Sequence, residues 1–157
     1  MKICLFVLSF CVLIGGAFTQ DNSFEKVLTM SSYIGKSLRD IPDEYVRSPD
    51  GSYLKSLSDT SYEGFIVERN IVRGFAWVLE SNVRSYLFSE FDRLKAFIVD
   101  QFGDPLLSDG ILYWGLDSYV LGLVVDGTEL CLMLATPEIL GLSRSQWESI
   151  LRRANHN

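Results

Sequence analysis

Histidine is almost missing from this chain: among 157 residues the one histidine is His156, next to the C-terminal Asn157. Nucleophilic sites of the Ser-His-Asp or Cys-His kind need a histidine held rigidly beside the nucleophile. A chain end is the hardest place to hold one. Cysteine is nearly as scarce. Cys4 and Cys11 stand near the N-terminus, and Cys131 is the third. One cysteine and one terminal histidine do not make the four ligands of a structural zinc site. Glycine-rich phosphate loops of the GxxxxGK[ST] or GxGxxG kind are absent, which removes the usual cradle for a nucleotide. The pairs Asp50-Gly51 and Asp109-Gly110 stand alone and do not form a calcium loop. Basic charge is in deficit: Lys and Arg number 14 against 20 Asp and Glu, for a net charge of −6. A nucleic-acid binder would show a basic stripe, and attachment to anionic lipid by charge needs the same. We expect no cofactor, no metal and no nucleic-acid partner. No internal repeat or low-complexity tract stands out.

What is present begins with an export signal. Lys2 precedes an apolar run from Ile3 to about Ile14; the small residues Gly15, Gly16 and Ala17 follow, then polar Gln20-Asp21-Asn22. This is signal-peptide anatomy. Ala17 and Thr19 suit the small positions before a cleavage site, so residues 1–19 are expected to leave. The run is short for a membrane span of about 20 residues, so the mature chain is expected to have no stable span. The alternatives are an uncleaved anchor, or a lipid on Cys11, where Phe10 spoils the small residue wanted before the cysteine. Cleavage removes Lys2 and no acid, leaving a charge of −7. It also leaves Cys131 alone, without an intrachain disulfide; a small buried apolar side chain is its expected role.

The remainder, residues 20–157, is long enough for one domain and short for two. Its most informative stretch is Tyr119–Ala135, YVLGLVVDGTELCLMLA. Two apolar runs meet at Asp126-Gly127, which suits the positive φ of a type I′ hairpin turn. That turn pairs Val125 with Thr128, Leu123 with Leu130 and Leu121 with Leu132. One face then carries Tyr119, Leu121, Leu123, Val125, Leu130, Leu132 and Leu134. The other carries Val120, Gly122, Val124, Cys131 and Met133, interrupted by Glu129. A half-wet hairpin would alternate apolar and polar; this one is expected to be central and covered on both faces.

Helices are expected over Phe24–Leu38, with Ser23 as N-cap and a weak point at Gly35, and over Ser89–Gly103, with Ser89 as N-cap. The segment 62–88 reads as strands, with Arg69-Asn70 a tight turn. Asp43–Thr60 reads as a loop with one short strand near Tyr53–Leu57, and Leu106–Gly110 as a loop. Thr136-Pro137-Glu138 opens a short helical turn. Ser143–Gln146 fits a capping box before a last helix with Trp147, Ile150 and Leu151 on its apolar face. Strands in runs with hairpin-length joins indicate an α+β fold: an antiparallel sheet of five to six strands with helices packed on it. The run SEFDRLKAFIVDQFGDP, followed by ILYW and the Leu/Val-rich hairpin, resembles a pattern in small exported bacterial α+β domains of unknown function. The resemblance covers Ser89–Ala135 and implies a fold unit, without site residues.

Two kinds of residue are candidates for function. Trp77, Tyr113, Trp114 and Tyr119 are the candidate partner or ligand surface, since exposed aromatics on a sheet mark binding faces; the competing role for each is core. The carboxylates Asp43, Glu44, Glu63, Glu68 and Glu129 could supply a glycosidase-like pair; the competing role is surface charge. Glu129 has Arg69 or Arg73 as a conceivable partner. The expected function is that of an exported, non-catalytic binding domain, periplasmic or secreted, whose partner is an envelope protein or a second copy of the chain. A carrier of an apolar ligand, and then a carboxylate-based hydrolase, are the alternatives.

Overall fold

The computed structural model describes residues 21–154. The leader 1–19 and the terminal Asn155–Asn157 lie outside the described residues. The chain runs α1 (Asp21–Met30), β1 (Val46–Arg47), β2 (Tyr53–Ser58), β3 (Ser61–Glu68), β4 (Ile71–Glu80), α2 (Arg84–Phe102), β5 (Leu106–Ser108), β6 (Ile111–Leu116), β7 (Tyr119–Asp126), β8 (Glu129–Ala135) and α3 (Arg144–Ala154). All strands join one antiparallel sheet in the order β1-β2-β3-β4-β8-β7-β6-β5. The α+β architecture is as expected, but the sheet has eight strands instead of five to six. The extra strands are short edge pieces, β1 and β5. Two or three residues are too few to show a period of two, which is why both stretches read as loop.

Three boundaries differ from expectation. Helix α1 is already formed at Asp21 and stops at Met30, so Ser23 lies inside it and Gly35, at φ 89°, lies beyond it. Helix α2 begins at Arg84, with Val83 at its N-cap and no side-chain cap. The Val83–Phe88 stretch, which alternates like a strand, is therefore the N-cap and start of α2: Leu87 is buried and extends the Leu94–Ile98 stripe by about two turns. Residues 137–141 form turns, closed by Leu142 N donating to Pro137 O at 3.1 Å, and no helix.

The central hairpin pairs Asp126 with Glu129, Val125 with Leu130, Leu123 with Leu132 and Leu121 with Leu134. Its turn residues are thus Gly127-Thr128, with Gly127 at φ 61°, the glycine-first arrangement of a type II′ turn. The expected pairing was off by two residues. An even slip leaves every side chain on its face, so the two apolar faces stand as read. The β3–β4 turn does fall at Arg69-Asn70, at φ 51° and 63°.

One face carries Glu63, Phe65, Phe75, Trp77, Leu79, Leu130, Leu132, Leu134, Leu121, Leu123 and Trp114, aligned strand by strand. Helices α1 and α2 cover it side by side; Phe24 meets Phe97 and Phe102 at ring distances of 5.3 and 5.8 Å. Val27, Leu87, Leu94 and Ile98 are buried beneath them. The opposite face is lined with Gly64, Gly74, Ala76, Cys131, Met133, Ala135, Gly122 and Gly115. Helix α3 covers its β5–β6 end, with Ile150 seated on Gly115.

The topology repeats: a helix and a four-stranded meander, twice, joined antiparallel through β4 and β8. One row of facing residues reads Val46, Leu54, Gly64, Ala76, then Met133, Gly122, Tyr113, Leu106. Ala76 and Met133 face each other at the centre, so Gly64 corresponds to Gly122, Leu54 to Tyr113 and Val46 to Leu106. The helices correspond as well, through Phe24-Glu25-Lys26-Val27 and Phe91-Asp92-Arg93-Leu94. No repeat was visible beforehand, because the two copies share chemical type at these places and little identity.

Candidate functional site

Among the described residues Glu63 is the one fully buried charged side chain, at 0% exposure. It sits mid-strand on β3, facing Lys55 on β2 and Trp77 on β4, on the sheet face under α1. Burying a carboxylate is costly unless it is paired and hydrogen-bonded. Two donors meet the same oxygen: Lys26 Nζ of α1 at 2.5 Å and the Tyr45 hydroxyl at 2.7 Å from Glu63 Oε1. Oε2 accepts no hydrogen bond among the described residues. Tyr45 reaches the site because Pro42 closes a turn, with Tyr45 N donating to Pro42 O at 3.1 Å. Its ring stacks edge-on against Phe65 at 4.8 Å, and Phe65 against Phe75 at 5.0 Å.

Burial pushes the Tyr45 phenol far above its ordinary range, and the hydrogen bond to Glu63 pushes it further. Tyr45 is therefore a fixed donor and not a base. Around the rim, Lys55 Nζ donates to Glu44 Oε1 at 2.7 Å and stands 5.8 Å over the Tyr45 ring. That hydrogen bond, and then the Lys55 charge, hold the exposed Glu44 carboxyl below its ordinary value. Chemically this cluster clamps together α1, the 42–45 turn and β3. It presents no nucleophile beside a base.

The carboxylates named from sequence are scattered. Glu63 is in the clamp and Glu44 at its rim. Glu68 ends β3 and lies 3.9 Å from Arg73 Nε. Glu129 opens β8 opposite Glu80. Arg73 lies near the other end of β4, about 20 Å away at ~3.3 Å of rise per residue, with Arg69 beyond it in the turn, so the Glu129–Arg pairing considered above is not formed. Groups of three or more metal-ligating side chains are absent among the described residues.

The four candidate aromatics are mostly core. Trp77, Tyr113 and Trp114 are 3%, 4% and 2% exposed, and Tyr119 is half-buried against the main core. Trp114 Nε1 donates to Gly103 O at 2.9 Å, tying β6 to the end of α2. Tyr113 lies on the opposite face with Val120, Ile150 and Trp147. The structure does not bring these four into one surface: Trp77 and Trp114 face α1 and α2, Tyr113 faces α3. Residues exposed in their place are Val46 on β1, Leu57 on β2, Leu107 on β5, Val83 at the N-cap of α2 and Phe88 within it. Val46 and Leu107 sit in strands too short to be read, so the pattern gave no signal for them.

No family model matches the chain, and neither a curated protein nor a solved structure does. Among the described residues no helix is long and apolar enough to cross a membrane.

Proposed function

We propose that the chain is an exported, non-catalytic binding or interaction domain, periplasmic or secreted once residues 1–19 are removed. The observation that carries this reading is the uneven cover of the α3 face. In the second half, α3 lies over β5 and β6. In the first half the corresponding row is Val46, Leu54 and Gly64; Val46 is 71% exposed and Leu54 half-buried. A contiguous apolar patch at the surface of a sheet marks an interaction face, and Val46 with the half-buried Leu54 and Ile66 supplies the side chains for one here. The clamp at Glu63 supports the same reading, since Lys26 and Tyr45 both donate to Glu63 Oε1 and tie α1 and the 42–45 turn to β3.

Native mass spectrometry on the chain purified gently from the envelope of a producing cell tests this. The mass of the chain itself reads whether residues 1–19 are gone. A co-purifying protein or a dimer is the expected result. A bound small molecule would replace the reading by that of a carrier, and a bare monomer would count against both.

A further inference from the structure

We propose that the β1–β3 part of the α3 face, around Val46, Leu54 and Ile66, is a seat for an amphipathic helix of a partner protein, apolar on one stripe and basic on its flank. This rests on the interaction-domain reading and names the surface and the chemistry of its occupant.

The internal repeat carries the argument. Val46 and Leu54 hold the places that Leu106 and Tyr113 hold in the second half. There the cover is a helix. Ile150 of α3 seats on Gly115, and Trp147 packs with Tyr113 and Val120. A small residue in the strand lets the helix approach, and in the first half Ser56 stands at the place of Gly115. The two faces are therefore built alike, and among the described residues one of them has its helix.

Charge selects the partner. Asp43, Asp50, Asp59, Glu68 and Glu80 are exposed at the strand ends around the first half, against Arg47 and Arg69. The Lys55 ammonium is already engaged by Glu44. The whole chain carries −6. A second copy would bring a second acidic rim against the first, which disfavours a self-complementary pair. Helix α3 shows the pattern the face accepts: its apolar stripe is flanked by Arg144, Arg152 and Arg153. A partner helix engages through anchors at helical spacing laid on an apolar face, with charge setting orientation and rate.

The test uses a fluorescent synthetic peptide with the sequence of residues 143–154 and the purified chain. Saturable binding is expected, weakening with added salt. Val46→Lys should weaken it by about tenfold or more, as loss of an apolar anchor and gain of a like charge predict. Leu107→Lys, on the opposite edge strand, should leave it unchanged. Both side chains are exposed, and circular dichroism confirms that both variants fold. Absence of saturable binding overturns the proposal. So does binding that Val46→Lys leaves intact, since the peptide would then be exchanging into the α3 seat. A natural partner that co-purifies equally well with Val46→Lys keeps the interaction-domain reading and removes this seat.

Discussion

Glu63 and Leu121 hold the same place in the two halves of the sheet. Each stands directly before the glycine of its strand, Gly64 or Gly122, and each lies on the face under α1 and α2. Their helical counterparts diverge in step. Lys26 of α1 reaches Glu63, whereas Arg93 of α2, without an acid at Leu121, pairs with Glu90 one turn back on its own helix. The second half thus shows what the first would be with an apolar residue at position 63.

That relationship predicts the outcome of a double-mutant cycle. Lys26→Met leaves the Glu63 carboxylate buried beside Tyr45 alone. Loss of one partner of a fully buried pair costs about 3–5 kcal/mol; Lys26 is 37% exposed, so the loss should fall below that range. Lys26→Met with Glu63→Leu together should recover part of it: apolar replacement of a buried pair is commonly neutral or stabilising, but the buried Tyr45 hydroxyl then loses its acceptor, at about 1–3 kcal/mol. Urea unfolding of the single and double variants reads the coupling. Additive losses would mean that the pair is not one unit.

Tyr45 makes a pH prediction. Its folded-state pKa is raised by burial and by Glu63, whereas an unfolded tyrosine titrates near 10. A raised pKa means that the stabilisation is complete below the unfolded value. It is lost as pH rises beyond about 10, where the unfolded chain releases a proton that the folded chain keeps. Tyr45→Phe should flatten this alkaline loss while removing one donor from Glu63, at about 1–3 kcal/mol near neutral pH. Tyr113, also raised by burial, leaves a smaller residue of the effect. Chemical denaturation at pH 8 to 11 (roughly the window set by the reference value) checks both parts.

The apolar logic of this fold was legible and its polar detail was not. Tyr119–Ala135 announces a doubly covered hairpin because its two faces are apolar at a period of two, and that survives an even slip of the turn. The slip itself was invisible: Asp126-Gly127 and Gly127-Thr128 are both good turns, and the choice is made where β8 pairs with β4 as well as β7. The start of α2 was missed because Val83–Phe88 alternates, and burial of Leu87 against the sheet overrides that local pattern. Glu63 looked like any acid in a strand. Its two partners are 37 and 18 residues away, on a helix and in a loop, and no local spacing encodes them. The aromatic candidates failed to form a surface for a related reason: composition shows that Trp77 and Trp114 are there, and only the sheet shows which way they point.

Trp114 gives a third prediction. At 2% exposure, with its indole N–H held by Gly103 O, it is a core residue. Trp114→Ala should cost about 3–5 kcal/mol, seen as a large fall in melting temperature. Any accompanying loss of partner capture would then be a consequence of unfolding. Trp114→Phe keeps most of the apolar volume but strands the carbonyl, for a loss near 1 kcal/mol (about the net worth of one hydrogen bond).

The β3–β4 turn should be improvable. Arg69 and Asn70 both adopt positive φ. A left-handed conformation costs an ordinary L-residue about 1–2 kcal/mol, and asparagine or glycine less. Arg69→Asn should therefore stabilise the chain by up to ~1 kcal/mol, measurable as a shift in the urea midpoint. An unchanged midpoint would show that the arginine side chain contributes something that offsets the strain.

The paired glycines Gly64 and Gly122 test the internal repeat most directly, because the same substitution meets different surroundings at corresponding places. A methyl group on Gly64 would come within 2.4 Å of the Tyr53 carbonyl oxygen and 2.6 Å of Leu54 Cδ2. The first contact is backbone and cannot yield without moving β2. On Gly122 the nearest atom is Met133 Cε at 3.1 Å, the far end of a flexible side chain. Gly64→Ala should therefore destabilise the chain strongly, at or above the ~1–3 kcal/mol typical of overpacking. Gly122→Ala should cost under ~1 kcal/mol, since Met133 can rotate aside. Differential scanning calorimetry of the two variants reads the contrast. Equal losses would mean that β2 yields as readily as a methionine side chain, and that the first half of the sheet is looser than its packing implies.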